Sequence, residues 1–175
     1  MKIVILLLTC LCLIFSAAFA EEGLVLDWAD VGTEEVAALG EFQQIELPDM
    51  PTIVYWIPSG MVAVDVGGME GPFTPSALYV TEDQAYSVTL FAFEISSLEE
   101  YAVILESEGG ASNFSNVTVN GVDCIRYEVA SENMECLIYP MTEQMILSFS
   151  FVPMDGDEDW DATKGVIVSS IQPVV

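Results

Sequence analysis

From about residue 41 onward the chain breaks into short alternating or fully apolar runs separated by turn residues, which is the pattern of strands. Residues 41–47 alternate, with Phe42, Gln44 and Glu46 opposing Gln43, Ile45 and Leu47. Residues 52–57 (TIVYWI) are apolar on both faces and end at the turn Pro58-Ser59-Gly60, after which residues 61–66 alternate again. The stretch 67–75 (GGMEGPFTP) is too rich in Gly and Pro for regular structure and predicts a loop. Residues 76–81 and 86–95 predict a hairpin around Glu82-Asp83-Gln84. In its second strand Phe91, Phe93 and Ile95 share one face, and Val88, Leu90 and Ala92 the other. A strand apolar on both faces must be covered on both, so this run predicts a layered domain.

Helical periods flank the later strands. Ser97 with Glu100 three residues on makes a capping-box signature. Leu98, Tyr101, Ala102 and Leu105 then line one face, and Gly109-Gly110 closes the helix. Residues 117–120 predict a short strand, and Asn120-Gly121 a tight turn into the next. Residues 122–130 and 134–139 predict a second hairpin across Ser131-Glu132-Asn133. Residues 145–152 (MILSFSFV) alternate, with Met145, Leu147, Phe149 and Phe151 inward. Residues 157–171 predict a last helix striped by Trp160, Thr163, Ile167 and Ile171 and stopped by Pro173.

Ahead of this series, residues 1–20 read as a signal peptide: Lys2, a long apolar run, and an ending of A-x-A form that places cleavage between Ala20 and Glu21. The apolar run is short for a spanning helix, so no stable membrane insertion is expected after cleavage. Residues 21–40 form an acidic, weakly patterned N-terminal segment, with a short helix capped by Thr33 and Trp28 as its large anchor. Residues 41–175 form a single α+β domain.

The order of elements, with the capped SLEEY helix (97–101), the V-x-V-N-G strand entry (117–121), the F-x-F strand (148–153) and the closing I-x-x-S-I-Q-P helix (167–173), resembles the PsbP-like fold, in a secreted bacterial-type member. The resemblance implies an α+β architecture in which an antiparallel β-sheet is flanked by helices on both faces, an α/β/α sandwich. It covers residues 41–173, leaves 21–40 outside, and transfers no functional residue.

Charge narrows the function. The chain has 28 acidic residues against 3 basic ones and no histidine. That excludes nucleic-acid binding through a basic surface and removes histidine from every catalytic or metal-binding role. Cleavage would take Lys2 away, leaving Arg126 and Lys164 as the basic side chains of the exported chain. Such a surface favours cationic partners, whether an extracytoplasmic protein or a small ligand.

Four sets of residues carry candidate chemistry. Cys124 and Cys136 sit in a disulfide-permissive compartment. With a turn at 131–133, though, four residues of stagger part them by about 13 Å, and a bond needs the turn to centre on Ala130, or a bulge. Asp155, Asp157, Asp159 and Asp161 alternate like a calcium loop, but Trp160 and Val166 stand where an EF-hand wants Gly and Glu. The plainer expectation is that Asp157 or Asp159 caps the helix. Arg126, mid-strand with Glu128 one same-face step away, is expected to pair with a neighbouring acid, an anion site being the sharper alternative. Tyr55, Trp56, Phe73 and Tyr79 either border an apolar pocket or fill the core. Asn113-Phe-Ser and Asn116-Val-Thr are glycan acceptors if the source is eukaryotic. No cofactor is implied beyond calcium. The expected role is a secreted, non-enzymatic binding or accessory protein, with a low-affinity calcium binder and a hydrolase using a carboxylate pair as alternatives.

Overall fold

The structure, a computed structural model, describes residues 23–69 and 74–174. The signal segment, its cleavage point at Ala20 and Glu21, and Phe73 lie outside the described residues. In chain order the elements are β1 (Leu24–Leu26), α1 (Trp28–Val31), α2 (Glu34–Ala37), β2 (Gly40–Ile45), β3 (Ile53–Pro58), β4 (Met61–Ala63), β5 (Ala77–Thr81) and β6 (Ser87–Glu94). They continue with α3 (Leu98–Ser107), β7 (Ser112–Val119), β8 (Val122–Val129), β9 (Met134–Pro140), β10 (Met145–Val152), α4 (Glu158–Ser169) and β11 (Gln172–Pro173). The fold is mixed α+β, dominated by one large sheet. Among the described residues its strand order is β1-β7-β8-β9-β10-β6-β5-β4, and a second sheet runs β11-β3-β2.

Three consecutive hairpins build the centre. The first turns on Asn120 and Gly121, whose φ values of 47° and 81° are the left-handed pair that the Asn-Gly dipeptide predicts. The second closes through a short 3-10 turn at Ala130–Glu132 and a left-handed Asn133, so that Val129 faces Met134. In the third, Thr142 Oγ1 accepts from the backbone N–H of Gln144 and Met145.

The two faces of the sheet bury separate clusters. On one face Tyr127, Cys136, Ile138 and Ile146 pack with Leu98, Tyr101 and Leu105 of α3. Ser97 caps α3 by accepting from the Glu100 N–H at 3.1 Å. The Glu100 carboxylate, which a capping box would turn to the backbone, takes the Ser96 hydroxyl instead at 2.6 Å. On the other face Leu147, Phe149 and Phe151, all fully buried, pack with Trp160 and Ile167 of α4 and with Ile171 just beyond it. The alternation in 145–152 therefore separates two buried faces rather than an inner and an outer one, since Ile146, Ser148 and Ser150 are buried too.

The α4 face differs from a purely helical layer, because the second sheet shares it. The alternating run 41–47 and the apolar run 52–57 supply β2 and β3 of that sheet; β3 pairs with β2 and β11 and lays Tyr55 edge-on to Phe149, ring centroids 5.5 Å apart. Tyr55 and Tyr79 join hydroxyls at 2.9 Å, and burial first, then Tyr79, drives the Tyr55 pKa far above the usual phenol range. Tyr55, Trp56 and Tyr79 are thus core residues, not a pocket wall. Pro173, expected only as a helix stop, belongs to β11, opposite Ile53.

The large sheet is antiparallel except at β1, which runs parallel to β7 with Leu24 beside Val117. The N-terminal segment therefore belongs to the domain. Asn120 fixes it there: its N–H donates to Leu26 O at 2.9 Å, its Oδ1 accepts from Trp28 N at 2.9 Å, and its Nδ2 donates to Ser169 O at 2.7 Å and Ile171 O at 2.8 Å.

Cys124 and Cys136 are both free and buried; of the two alternatives the sequence left open, strand stagger keeps them apart and the possible disulfide is absent. Tyr127, not Cys124, stands opposite Cys136. The two positions differ by three residues of register, an odd number, so one thiol points to each face of the sheet. Cys124 joins the cluster under α4 and Cys136 the cluster under α3.

Candidate functional site

Alternation along β8 and β9 places Arg126 and Glu128 beside Glu135 and Leu137 on the α4 face. Helical spacing does the rest. Trp160, Lys164 and Val168 recur every fourth residue, so Lys164 occupies the inward stripe of α4 and is buried. The stripe of Trp160, Thr163, Ile167 and Ile171 expected from the sequence does not contain Lys164, and Thr163 is only half-buried. The signal was present, as a lysine flanked at four residues on each side by large apolar residues.

Glu135 gathers both basic side chains of the domain. Its Oε1 accepts from Arg126 Nε and its Oε2 from Lys164 Nζ, each at 2.8 Å. Lys164 also donates to Asp161 Oδ1 at 3.0 Å and to Met154 O at 2.6 Å, which accounts for the three donors of an ammonium. Arg126 was expected to pair with an acid and does, but with Glu135 on the diagonal rather than with Glu128. Glu128 and Glu135 face each other across the strands, an unfavourable like-charge juxtaposition, and the guanidinium reaching Glu135 offsets it. With both Glu135 oxygens on cations, these two carboxylates leave little for a glycosidase-type acid–base pair.

Around this cluster lies a pocket of about 360 Å³ between α4 and the β1–β7–β8–β9 part of the sheet. Its apolar wall is Leu24, Leu26, Val117, Leu137 and Val168; its polar wall holds Arg126, Glu128, Glu135, Asp155, Asp161 and Lys164. Lys164 has spent its donors inward. Arg126 is 41% exposed, and among the described residues its hydrogen bonding runs through Nε alone, so the terminal N–H groups remain for a ligand. Gly165 of α4 also lines the pocket, and a Cβ there would meet nothing within 4 Å. A glycine inside a helix costs about 1 kcal/mol relative to alanine.

The four alternating aspartates do not converge. Asp155 and Asp161 line this pocket, whereas Asp157 and Asp159 line a second hollow of about 240 Å³ beside Pro58, Met61 and Trp160. Asp157 caps α4, accepting from Trp160 N at 2.9 Å, and its other oxygen accepts from the Tyr86 hydroxyl at 3.2 Å. Among the described residues no group of three or more Asp, Glu or Cys is placed to hold a metal ion. Asn113 lies at the irregular start of β7, at φ 55°, and donates to Glu128; Asn116 is exposed on the same strand. No described helix is long and apolar enough to cross a membrane.

No protein-family model matches the chain, and no curated protein matches it. Among solved structures it is similar to the solution structure of cyanobacterial PsbP (CyanoP) from Synechocystis sp. PCC 6803. The TM-score is 0.46 at 13% identity, covering 76% of this chain and 92% of that one. That neighbour is a PsbP, the family whose fold the sequence motifs resemble. The likeness transfers no residue, ligand or role.

Proposed function

We propose that this chain is an exported, non-enzymatic binding protein that holds a small ligand in the pocket between α4 and β1, β7, β8 and β9. The observation that carries the reading is Gly165. Gly165, inside α4, lines the pocket with open space where a Cβ would stand, and Arg126 lines the same pocket with donors to spare. The pocket is at the small end of the usual range of about 300–1,000 Å³ and combines an apolar wall with a few polar groups, as ligand sites do. Export rests on the signal segment 1–20, and the non-enzymatic character on the missing histidine and the burial of both cysteines.

The test is a thermal-shift screen of the protein without residues 1–20 against small anions, cations, zwitterions and neutral amphiphiles, run in parallel on Gly165→Leu. The wild type should rise in melting temperature with at least one member, and Gly165→Leu should not. No rise with any compound, or an equal rise in both proteins, would overturn the reading.

A further inference from the structure

The pocket reading leaves the ligand class open, and the charges that line the pocket narrow it. We infer that the ligand is a small zwitterion, an α-amino acid or short peptide with an aliphatic side chain, whose carboxylate meets Arg126 and whose ammonium meets Asp155. The inference rests on the proposed binding role of this pocket.

Four carboxylates and two cations line the cavity. Arg126 and Lys164 together engage Glu135, and Lys164 engages Asp161. Two carboxylates are then in surplus. Glu128 is hydrogen-bonded by Asn113, while Asp155 is exposed, and among the described residues no hydrogen bond or ion pair engages it. The pocket therefore offers one set of free donors, the terminal nitrogens of Arg126, and two carboxylates with no cation on them, of which Glu128 already accepts from Asn113 and Asp155 has both oxygens open among the described residues. A ligand carrying only an anion would gain the guanidinium but enter a cavity with surplus negative charge, on a chain of net charge −25. A ligand carrying only a cation would gain Asp155 but lie against the exposed edge of a guanidinium. A zwitterion satisfies both ends. Leu24, Leu26, Val117 and Val168 supply an aliphatic wall for its side chain, and a volume of about 360 Å³ suits one or two residues rather than a lipid.

Arg126 is the only arginine in the sequence, so its Nε–Hε pair gives a single arginine side-chain NMR signal, free of assignment ambiguity. Three matched probes are titrated into the labelled protein: leucine, 4-methylpentanoate, which lacks the ammonium, and isopentylamine, which lacks the carboxylate. Leucine should shift the Arg126 signal saturably, and each half-probe should bind at least about ten-fold more weakly, as the loss of one charge-assisted contact requires. Asp155→Asn, an exposed change with no packing consequence, should weaken leucine about ten-fold and leave 4-methylpentanoate unchanged or tighter. Gly165→Leu should abolish the shift. If 4-methylpentanoate or isopentylamine binds as tightly as leucine, the zwitterion inference falls while the pocket reading stands. If none of the three moves the signal, the inference falls as well, and the thermal-shift screen decides separately whether the pocket binds anything.

Discussion

Glu135 and Lys164 meet at 2.8 Å with less than a tenth of either side chain exposed. In a chain so rich in acids, the best-buried carboxylate holds the best-buried cation. A charge pair taken out of water is sustained only when its remaining donors and acceptors are satisfied. Here Arg126, Asp161 and the Met154 carbonyl complete it.

Removing one partner should therefore cost more than removing both. Lys164→Met should destabilise the fold by about 3 kcal/mol, because Glu135 keeps only the partly exposed Arg126. Adding Glu135→Leu should recover part of that loss. Urea unfolding of the two single variants and the double measures it. A neutral Lys164→Met would show that the pair contributes nothing.

Asn120 separates two effects that usually travel together. Asn120→Gly retains a residue at ease with φ 47° but removes three side-chain hydrogen bonds. The expected loss is about 3 kcal/mol, at roughly 1 kcal/mol per bond. Asn120→Ala should lose further stability through the strained turn. Equal stabilities for the Gly and Ala variants would remove the backbone contribution.

Alkaline pH should unfold the protein between about pH 9 and 12. Burial pushes the Cys124 thiol up to about 12 from 9.0, with Asp123 adding to it, and it pushes Tyr101 and Tyr139 up to about 12 from 10.0. A group whose folded-state pKa is raised keeps its proton longer folded than unfolded. Its contribution is whole below the unfolded value and is lost as pH climbs toward the folded one. Stability measured by denaturant at each pH should fall across this window, and Cys124→Ala should make the fall shallower from its onset at pH 9. A stability constant to pH 12 would contradict the burial of these groups. Mass measurement after alkylation in denaturant should count both Cys124 and Cys136 as free thiols.

Salt should stabilise the fold. With 28 acidic residues against 3 basic ones, screening relieves repulsion that the unfolded chain relieves by expanding. The melting temperature should rise between about 10 and 150 mM NaCl, as the Debye length falls from roughly 30 to 8 Å. Calcium at matched ionic strength should add nothing, since the four aspartates are divided between two hollows. A saturable extra rise, lost in Asp157→Asn with Asp159→Asn, would restore the calcium reading.

What could be read in advance was what repeats along the chain. The hairpins from Ser112 to Val152 and the capped start of α3 carry their signals in neighbouring residues: Asn120-Gly121, the alternation of 145–152, Ser97. What could not be read is decided by residues far apart. Nothing local distinguishes a strand of the large sheet from one of the small sheet, so the second sheet carries no signal of its own along the chain. Leu24-Val25-Leu26 is too short for a period, and its place beside β7 depends on Asn120 in a distant turn. The pocket is legible only after β8, β9 and α4 converge, because Arg126, Glu135 and Lys164 are unremarkable until one carboxylate is seen to hold both cations.

The hydrogen bonds of Asn120 join β1 and α1 to the end of α4 and the residues that follow it. Trp28 and the Ser169 and Ile171 carbonyls depend on one amide, and β11, which follows α4, closes on β3. A chain delivered from its N-terminus, by a ribosome or through an export channel, can form the β7–β10 hairpins as they emerge. β1 and α1 must wait for the last helix before they dock fully. Docking of β1 and α1 is therefore tied to delivery of α4, and a product truncated within α4 would leave β1 and α1 loose.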